Sequence, residues 1–151
     1  MEKFLTFLKS ILVPVLLGSL VGLFISGKMS YEELPKPPLA PPSMLFPIVW
    51  TVLYILMGVS YGILKNNNLT DSKTYFIYYL QLFVNFVWPI LFFVLDFKLF
   101  SFFWIILLIV LTIIMIKTFY EKNKISGLLQ IPYLIWLCFA AYLNLAIFLM
   151  S

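Results

Sequence analysis

Apolar residues in this chain do not alternate with polar ones. They run in long blocks, cut apart by short clusters of charged and polar residues. Five blocks stand out, at about 4–26, 43–64, 74–95, 100–119 and 127–150, each close to the roughly 20 residues a helix needs to cross the hydrocarbon core of a bilayer. The pattern predicts an all-α fold, an integral membrane bundle of five transmembrane helices in a single domain spanning residues 1–151. The first block, flanked by Lys3 and Lys9, has some look of a signal peptide. Its apolar run is long and no small-x-small cleavage site follows, so it is read as a mature helix.

Helical spacing places selected residues on shared faces. Trp50, Tyr54, Met57 and Tyr61 form a stripe on the second span, and Gln81, Asn85, Trp88 and Phe92 one on the third. On the fifth, Tyr133 has Trp136, Ala140 and Asn144 close beside it. Amides are unfavourable in lipid unless they find partners, so these faces should point into the bundle. Asn85 and Asn144 then serve either as interhelical glue or as part of a shared pocket. Pro14, Pro47, Pro89 and Pro132 fall within or at the start of spans, where each removes a helix hydrogen bond and favours a kink. Gly18 with Gly22, and Gly58 with Gly62, make GxxxG pairs that suit close helix approach inside the bundle or in a dimer. The fourth span is nearly uniform aliphatic, interrupted only by Trp104, Thr112 and Lys117, and is expected to face lipid or a partner chain.

Composition agrees with a membrane protein. Hydrophobic residues make up 64% of the chain and charged ones 11%, against roughly 45–50% apolar in a soluble domain. The net charge of +4 comes from ten basic residues, all lysines. They sit at helix ends, where they anchor spans to headgroups, so nucleic acid is not an expected partner. Seven (Lys3, Lys9, Lys65, Lys73, Lys117, Lys122, Lys124) fall on one side and three (Lys28, Lys36, Lys98) on the other. The positive-inside rule then predicts a multi-pass cell-membrane protein with a cytoplasmic N-terminus, its first loop and C-terminus outside.

Missing residue types narrow the chemistry. The chain has no histidine, which removes imidazole metal sites and His-based acid/base catalysis; no metal site is expected. It has no phosphate-binding glycine loop, and Glu2, Glu32, Glu33, Asp71, Asp96 and Glu121 all lie at ends or in loops. Coupled transport usually needs an ionisable group near the midplane. Cys138 is the single cysteine and forms no intrachain disulfide.

Three stretches carry a resemblance: "KPPLAPPSMLFPIVWTVLYILMGVSYG" (36–62), "QLFVNFVWPILFF" (81–93) and "PYLIWLCFAAYLN" (132–144). In this order, and with five spans in register, the chain resembles the TspO/MBR family of tryptophan-rich sensory or translocator proteins, also called peripheral-type benzodiazepine receptors. The resemblance implies a homodimeric five-helix bundle that binds porphyrins such as protoporphyrin IX, and isoquinoline carboxamide or benzodiazepine-type ligands. It further implies light-dependent oxidative degradation of the porphyrin, or tetrapyrrole transport, or ligand-dependent stress sensing, and these alternatives stay open. No cofactor is expected to be required; porphyrin is the ligand or substrate, with light and oxygen used in its degradation, and membrane lipid surrounds the chain.

Carried over by position, Trp50, Trp136 and Tyr31 match residues tied to porphyrin chemistry and are the candidate catalytic groups. Asn85, Trp88, Phe139, Ala140 and Leu143 match pocket positions. Phe46, Tyr31, Trp50, Trp136 and Asn144 complete the expected ligand-binding set. Two departures limit the transfer. The C-terminal "YLNLAIFLMS" has no basic residue of the kind sterol binding requires in animal members, and Ser30 stands where many relatives have a tryptophan.

Residues 27–42 are expected to form a lid. Pro35, Pro37, Pro38, Pro41 and Pro42 stiffen them, so less entropy is lost on covering a cavity. Lys36 is expected to meet a porphyrin propionate, and the plainer alternative is a stiff spacer.

Overall fold

The computed structural model describes residues 1–26 and 33–151, apart from the side chain of Ser26. The helices are α1 (Glu2–Ser26), α2 (Leu45–Asn66), α3 (Ser72–Pro89), α4 (Lys98–Lys122), the short α5 (Lys124–Leu128) and α6 (Ile131–Met150). A π-helical turn, Ile90–Val94, extends α3. Five stretches are long and apolar enough to cross a membrane: Glu2–Ile25, Leu45–Asn66, Ser72–Val94, Lys98–Lys122 and Lys124–Met150. The fifth is therefore two helices, broken around Leu129 and Gln130 rather than continuous from 127 to 150.

Local chemistry sets the ends. Asp71 caps α3 by accepting from the Thr74 amide at 2.8 Å, while the Thr74 hydroxyl accepts from the Asp71 amide at 2.8 Å. This reciprocal pair satisfies two backbone donors that the first helical turn would leave unbonded. Asn123 caps α5 through the Ser126 amide at 3.1 Å. After α2 the chain turns at Asn68, whose φ of 56° lies in the left-handed region that asparagine tolerates.

The four prolines divide into two kinds. Pro47 and Pro132 sit in the first turns of α2 and α6, where an amide would have no intrahelical partner, so they start helices rather than kink them. Pro89 closes α3, and beyond it the ladder widens, with the Leu95 amide bonding back to Ile90 O at 2.9 Å. Pro14 lies inside α1 and offers no amide to the Ser10 carbonyl. At that carbonyl α2 comes close: a Cβ on Gly58 would lie 2.7 Å from Ser10 O and press against the Ile11 backbone. The Gly58–Gly62 pair is thus used inside the bundle, against Ser10, Ile11 and Phe7 of α1.

Helix α1 packs on α2, α3 on α4, and α4 on α5 and α6. The fourth span, expected to face lipid or a partner chain, also has a buried face. Ser101, Ile105, Leu108, Thr112, Met115 and Phe119 of α4 are all buried, at the alternating four- and three-residue spacing that lays one stripe along a helix. A uniformly aliphatic sequence hides such a stripe, because its lipid face is equally apolar. The least buried span is α1.

Candidate functional site

A cavity of about 780 Å³ opens in the half of the bundle nearest the 33–44 loop. Helix α2 contributes Phe46, Trp50 and Tyr54, one turn apart. Helix α3 and its π-turn bring Asn85, Trp88 and Phe92, and α6 brings Trp136, Ala140, Leu143 and Asn144. Each set recurs at three- or four-residue steps and so lies on one helix face.

The aromatic wall is ordered by edge and face contacts. Trp50 and Trp136 meet edge to face, with centroids 6.4 Å apart and planes at 88°. Trp50 stacks on Tyr54 at 5.6 Å and meets the edge of Tyr133 at 6.3 Å. Phe46 approaches Trp136 at 6.0 Å, and Trp88 stacks on Phe92 at 5.4 Å. Such geometries suit the ring quadrupoles.

Two hydrogen-bonded clusters hold the polar floor. In the first, Tyr54 Oη donates to Asn85 Oδ1 at 2.7 Å and Asn85 Nδ2 donates to Tyr133 Oη at 2.8 Å. Tyr133 Oη in turn donates to Gln81 Oε1 at 2.8 Å, and Gln81 Nε2 to the Tyr78 carbonyl at 2.9 Å. In the second, Trp88 Nε1 and Ser101 Oγ donate to Asn144 Oδ1 at 2.9 and 3.0 Å, while Asn144 Nδ2 donates to Lys98 O at 2.8 Å. Both asparagines therefore tie helices together and also line the cavity, so the two readings of them are compatible. The Trp136 indole N–H is buried with no acceptor among the described residues.

Of the residues expected to bind a ligand, Phe46, Trp50, Asn85, Trp88, Trp136, Ala140, Leu143 and Asn144 line this one cavity. Phe139 does not. It lies behind the wall, against Trp136 at 5.4 Å and Tyr142 at 6.2 Å. Tyr31 lies outside the described residues. The contribution of α1, including Val15, Gly18, Ser19 and Gly22, was not anticipated, although the Gly18–Gly22 pair marks that face. Tyr54 belonged to the predicted stripe and proves part of the lining.

The described part of the 27–42 loop rests on the bundle. Pro37 is buried, Leu34 packs on the core, and Pro38 O accepts from Tyr142 Oη at 2.6 Å. Glu33 lines the cavity and is its only charged residue among those described. Lys36, expected to meet an anionic ligand, is not in the lining and donates to Leu34 O at 3.0 Å. No group of histidine, cysteine and carboxylate side chains able to hold a metal occurs among the described residues.

Residues 10–150 match the model of the TspO/MBR family. The chain is 38% identical over 145 residues to the tryptophan-rich protein TspO of Archaeoglobus fulgidus, with 94% of each chain covered. It is 35% identical over 122 residues to the tryptophan-rich protein TspO of Chlorobaculum tepidum, covering 78% of this chain and 76% of that one. To the translocator protein homolog of Schizosaccharomyces pombe it is 32% identical over 146 residues, covering 93% and 88%. With that coverage, and with its conspicuous aromatic faces gathered around one intramembrane cavity, the chain belongs to the TspO/MBR family.

Proposed function

We propose that the cavity is a receptor site for a flat tetrapyrrole, protoporphyrin IX, and that light-dependent oxidative degradation of that ligand takes place there. The observation that carries this reading is the perpendicular pair of Trp50 and Trp136, which gives an extended ring both a face to stack on and an edge to abut. The cavity volume of about 780 Å³ lies within the range of sites that bury most of a drug-sized ligand. Glu33 is the one charge in the lining among the described residues; the hydrophobic macrocycle sits inward against the aromatic wall and its carboxylates stay near the headgroups. Isoquinoline carboxamides suit the same chemistry, with the Trp136 N–H, which has no partner among the described residues, as donor to a ligand carbonyl.

For degradation, the excited tetrapyrrole takes one electron from the Trp50 or Trp136 indole and passes it to dioxygen, giving superoxide; the indole radical cation then takes an electron from the tetrapyrrole, which is the group oxidised overall. The oxygen species formed attack the ring held against the wall. Without histidine as an axial ligand, the free base is preferred over haem. The test illuminates purified protein with protoporphyrin IX in the presence and absence of oxygen. A defined product is expected from the native chain and not from Trp50→Phe/Trp136→Phe, and equal product from both proteins would sink the proposal.

A passive carrier is the second reading, favoured by the scarcity of charge along the cavity wall. Flux of porphyrin into proteoliposomes in the dark, above that of empty vesicles, separates it from degradation. The lysine distribution gives the orientation, with the N-terminus cytoplasmic and the cavity mouth outside.

A further inference from the structure

The packing of α1 on α2 changes along its length. At one end the helices are tightly closed: a Cβ at Gly58 would lie 2.7 Å from Ser10 O, and one at Gly62 2.7 Å from the Phe7 ring. Further up, a Cβ at Gly18 would press into the Tyr54 ring. One turn beyond, about 6 Å along the axis, the space beside α1 is free at Gly22. No described atom lies within 4 Å of a Cβ placed on Gly22.

The cavity lies beside this divergence. Ser19 and Gly22 of α1, and Pro47 and Thr51 of α2, line the cavity and are exposed. Leu20, Ile48 and Val52 beside them are exposed and outside the lining, so these four stand where the cavity wall meets the outer face of α1 and α2. The surrounding face is apolar, with Leu16 and Leu20 of α1 and Ile48 and Val52 of α2 each more than half exposed. Since both helices are membrane spans, what stands outside the gap is acyl chain rather than water. The loop is tied at the other side of the mouth, to Tyr142 of α6.

We propose that the cavity communicates sideways with the bilayer through a slot between α1 and α2, bounded below by the Gly18–Tyr54 contact and rimmed by Ser19, Gly22, Pro47 and Thr51. Its ligands are flat apolar molecules already dissolved in the membrane, and an acyl chain occupies the slot when no ligand does. The identity of the ligand rests on the reading of the cavity as a tetrapyrrole site; the slot itself does not.

The test places the full chain in proteoliposomes containing phosphatidylcholine with a diazirine midway along one acyl chain. After irradiation, labelled residues are mapped by mass spectrometry. Trp88 and Ala140, 8% and 4% exposed, should be labelled along with outward residues such as Phe103 and Val110. Gly22→Trp, which fills the slot from a position with free space, should remove the interior labels and keep the outward ones. Thr51→Trp closes the same slot from α2 and serves if the first variant fails to insert. Label confined to outward residues of the native chain, or interior label persisting in the variants, overturns the proposal. In a second arm, vesicles preloaded with an alkyl porphyrin lacking carboxylates should show several-fold slower association with Gly22→Trp than with the native chain. Interior labelling without porphyrin binding would leave the slot standing and overturn only the tetrapyrrole reading.

Discussion

Trp88 and Asn144 are joined by an indole N–H donating to the amide oxygen at 2.9 Å, between α3 and α6 at the wall of the cavity. Asn144 also accepts from Ser101 and donates to Lys98 O, so one amide fastens α3, α4 and α6 together. Asn144→Ala leaves two donors and a carbonyl without this partner. Ser101 Oγ also donates to Lys98 O at 2.8 Å, so the Trp88 N–H is the group orphaned; a loss of about 1–3 kcal/mol is expected for it, tempered by the smaller average of about 0.6 kcal/mol for single bonds inside membranes. Thermal unfolding in detergent measures it. A double-mutant cycle with Trp88→Phe should give a favourable coupling, and strict additivity would show that the bond contributes nothing.

Tyr133 and Tyr78 are both fully buried tyrosines with opposite expected responses. Tyr133 Oη serves Asn85 and Gln81, whereas Tyr78 Oη has no partner among the described residues. Tyr133→Phe should destabilise by about 1–3 kcal/mol, since it orphans an amide N–H and an amide oxygen. Tyr78→Phe should be neutral or stabilising. The same unfolding assay ranks them, and the reverse order would contradict the bonding pattern.

Gly58 and Gly22 make a similar contrast on the α1–α2 face. Gly58→Leu drives a side chain into the α1 backbone, which cannot yield as a flexible side chain would, so loss of folded protein is expected. Gly22→Ala meets nothing among the described residues and gains helix propensity of roughly 1 kcal/mol. Folded yield after membrane extraction and the unfolding midpoint report both.

Asp71 provides a pH handle outside the membrane. The hydrogen bond and ion pair with Lys122, at 2.7 Å, and the Thr74 amide lower its pKa from 3.8 to about 2. A carboxyl with a depressed folded pKa stabilises the fold above its unfolded value, and that contribution fades as pH falls through the interval from about 4 to about 2. Lys122→Met should flatten the pH dependence of the unfolding midpoint in that interval. Asp71→Asn keeps a capping oxygen and should lower the midpoint less than Asp71→Ala.

Ala140 faces the cavity and is 4% exposed. Ala140→Phe adds bulk to a fixed wall, and overpacking of about 1–3 kcal/mol corresponds to binding of protoporphyrin IX weaker by roughly five- to a hundredfold. Fluorescence titration measures it. Unchanged affinity would place the ligand elsewhere.

Length and hydropathy alone determine the five spans, since only helices and closed barrels satisfy the backbone in hydrocarbon and blocks of about 20 continuously apolar residues match the helix and not the strand. Helical spacing likewise brings Trp50, Asn85, Trp88, Trp136, Ala140 and Asn144 onto three faces, because amides and indoles in a span must turn inward. Spacing within a helix carries no information about which helix lies opposite. Only the tertiary structure decided that α1 forms one side of the cavity, that Gly58 nests against the carbonyl freed by Pro14, and that Phe139 stands behind Trp136 rather than in the lining. The buried stripe of α4 was illegible for a related reason. When the solvent is as apolar as the core, hydrophobicity cannot tell a face that meets lipid from one that meets protein, and packing alone distinguishes them.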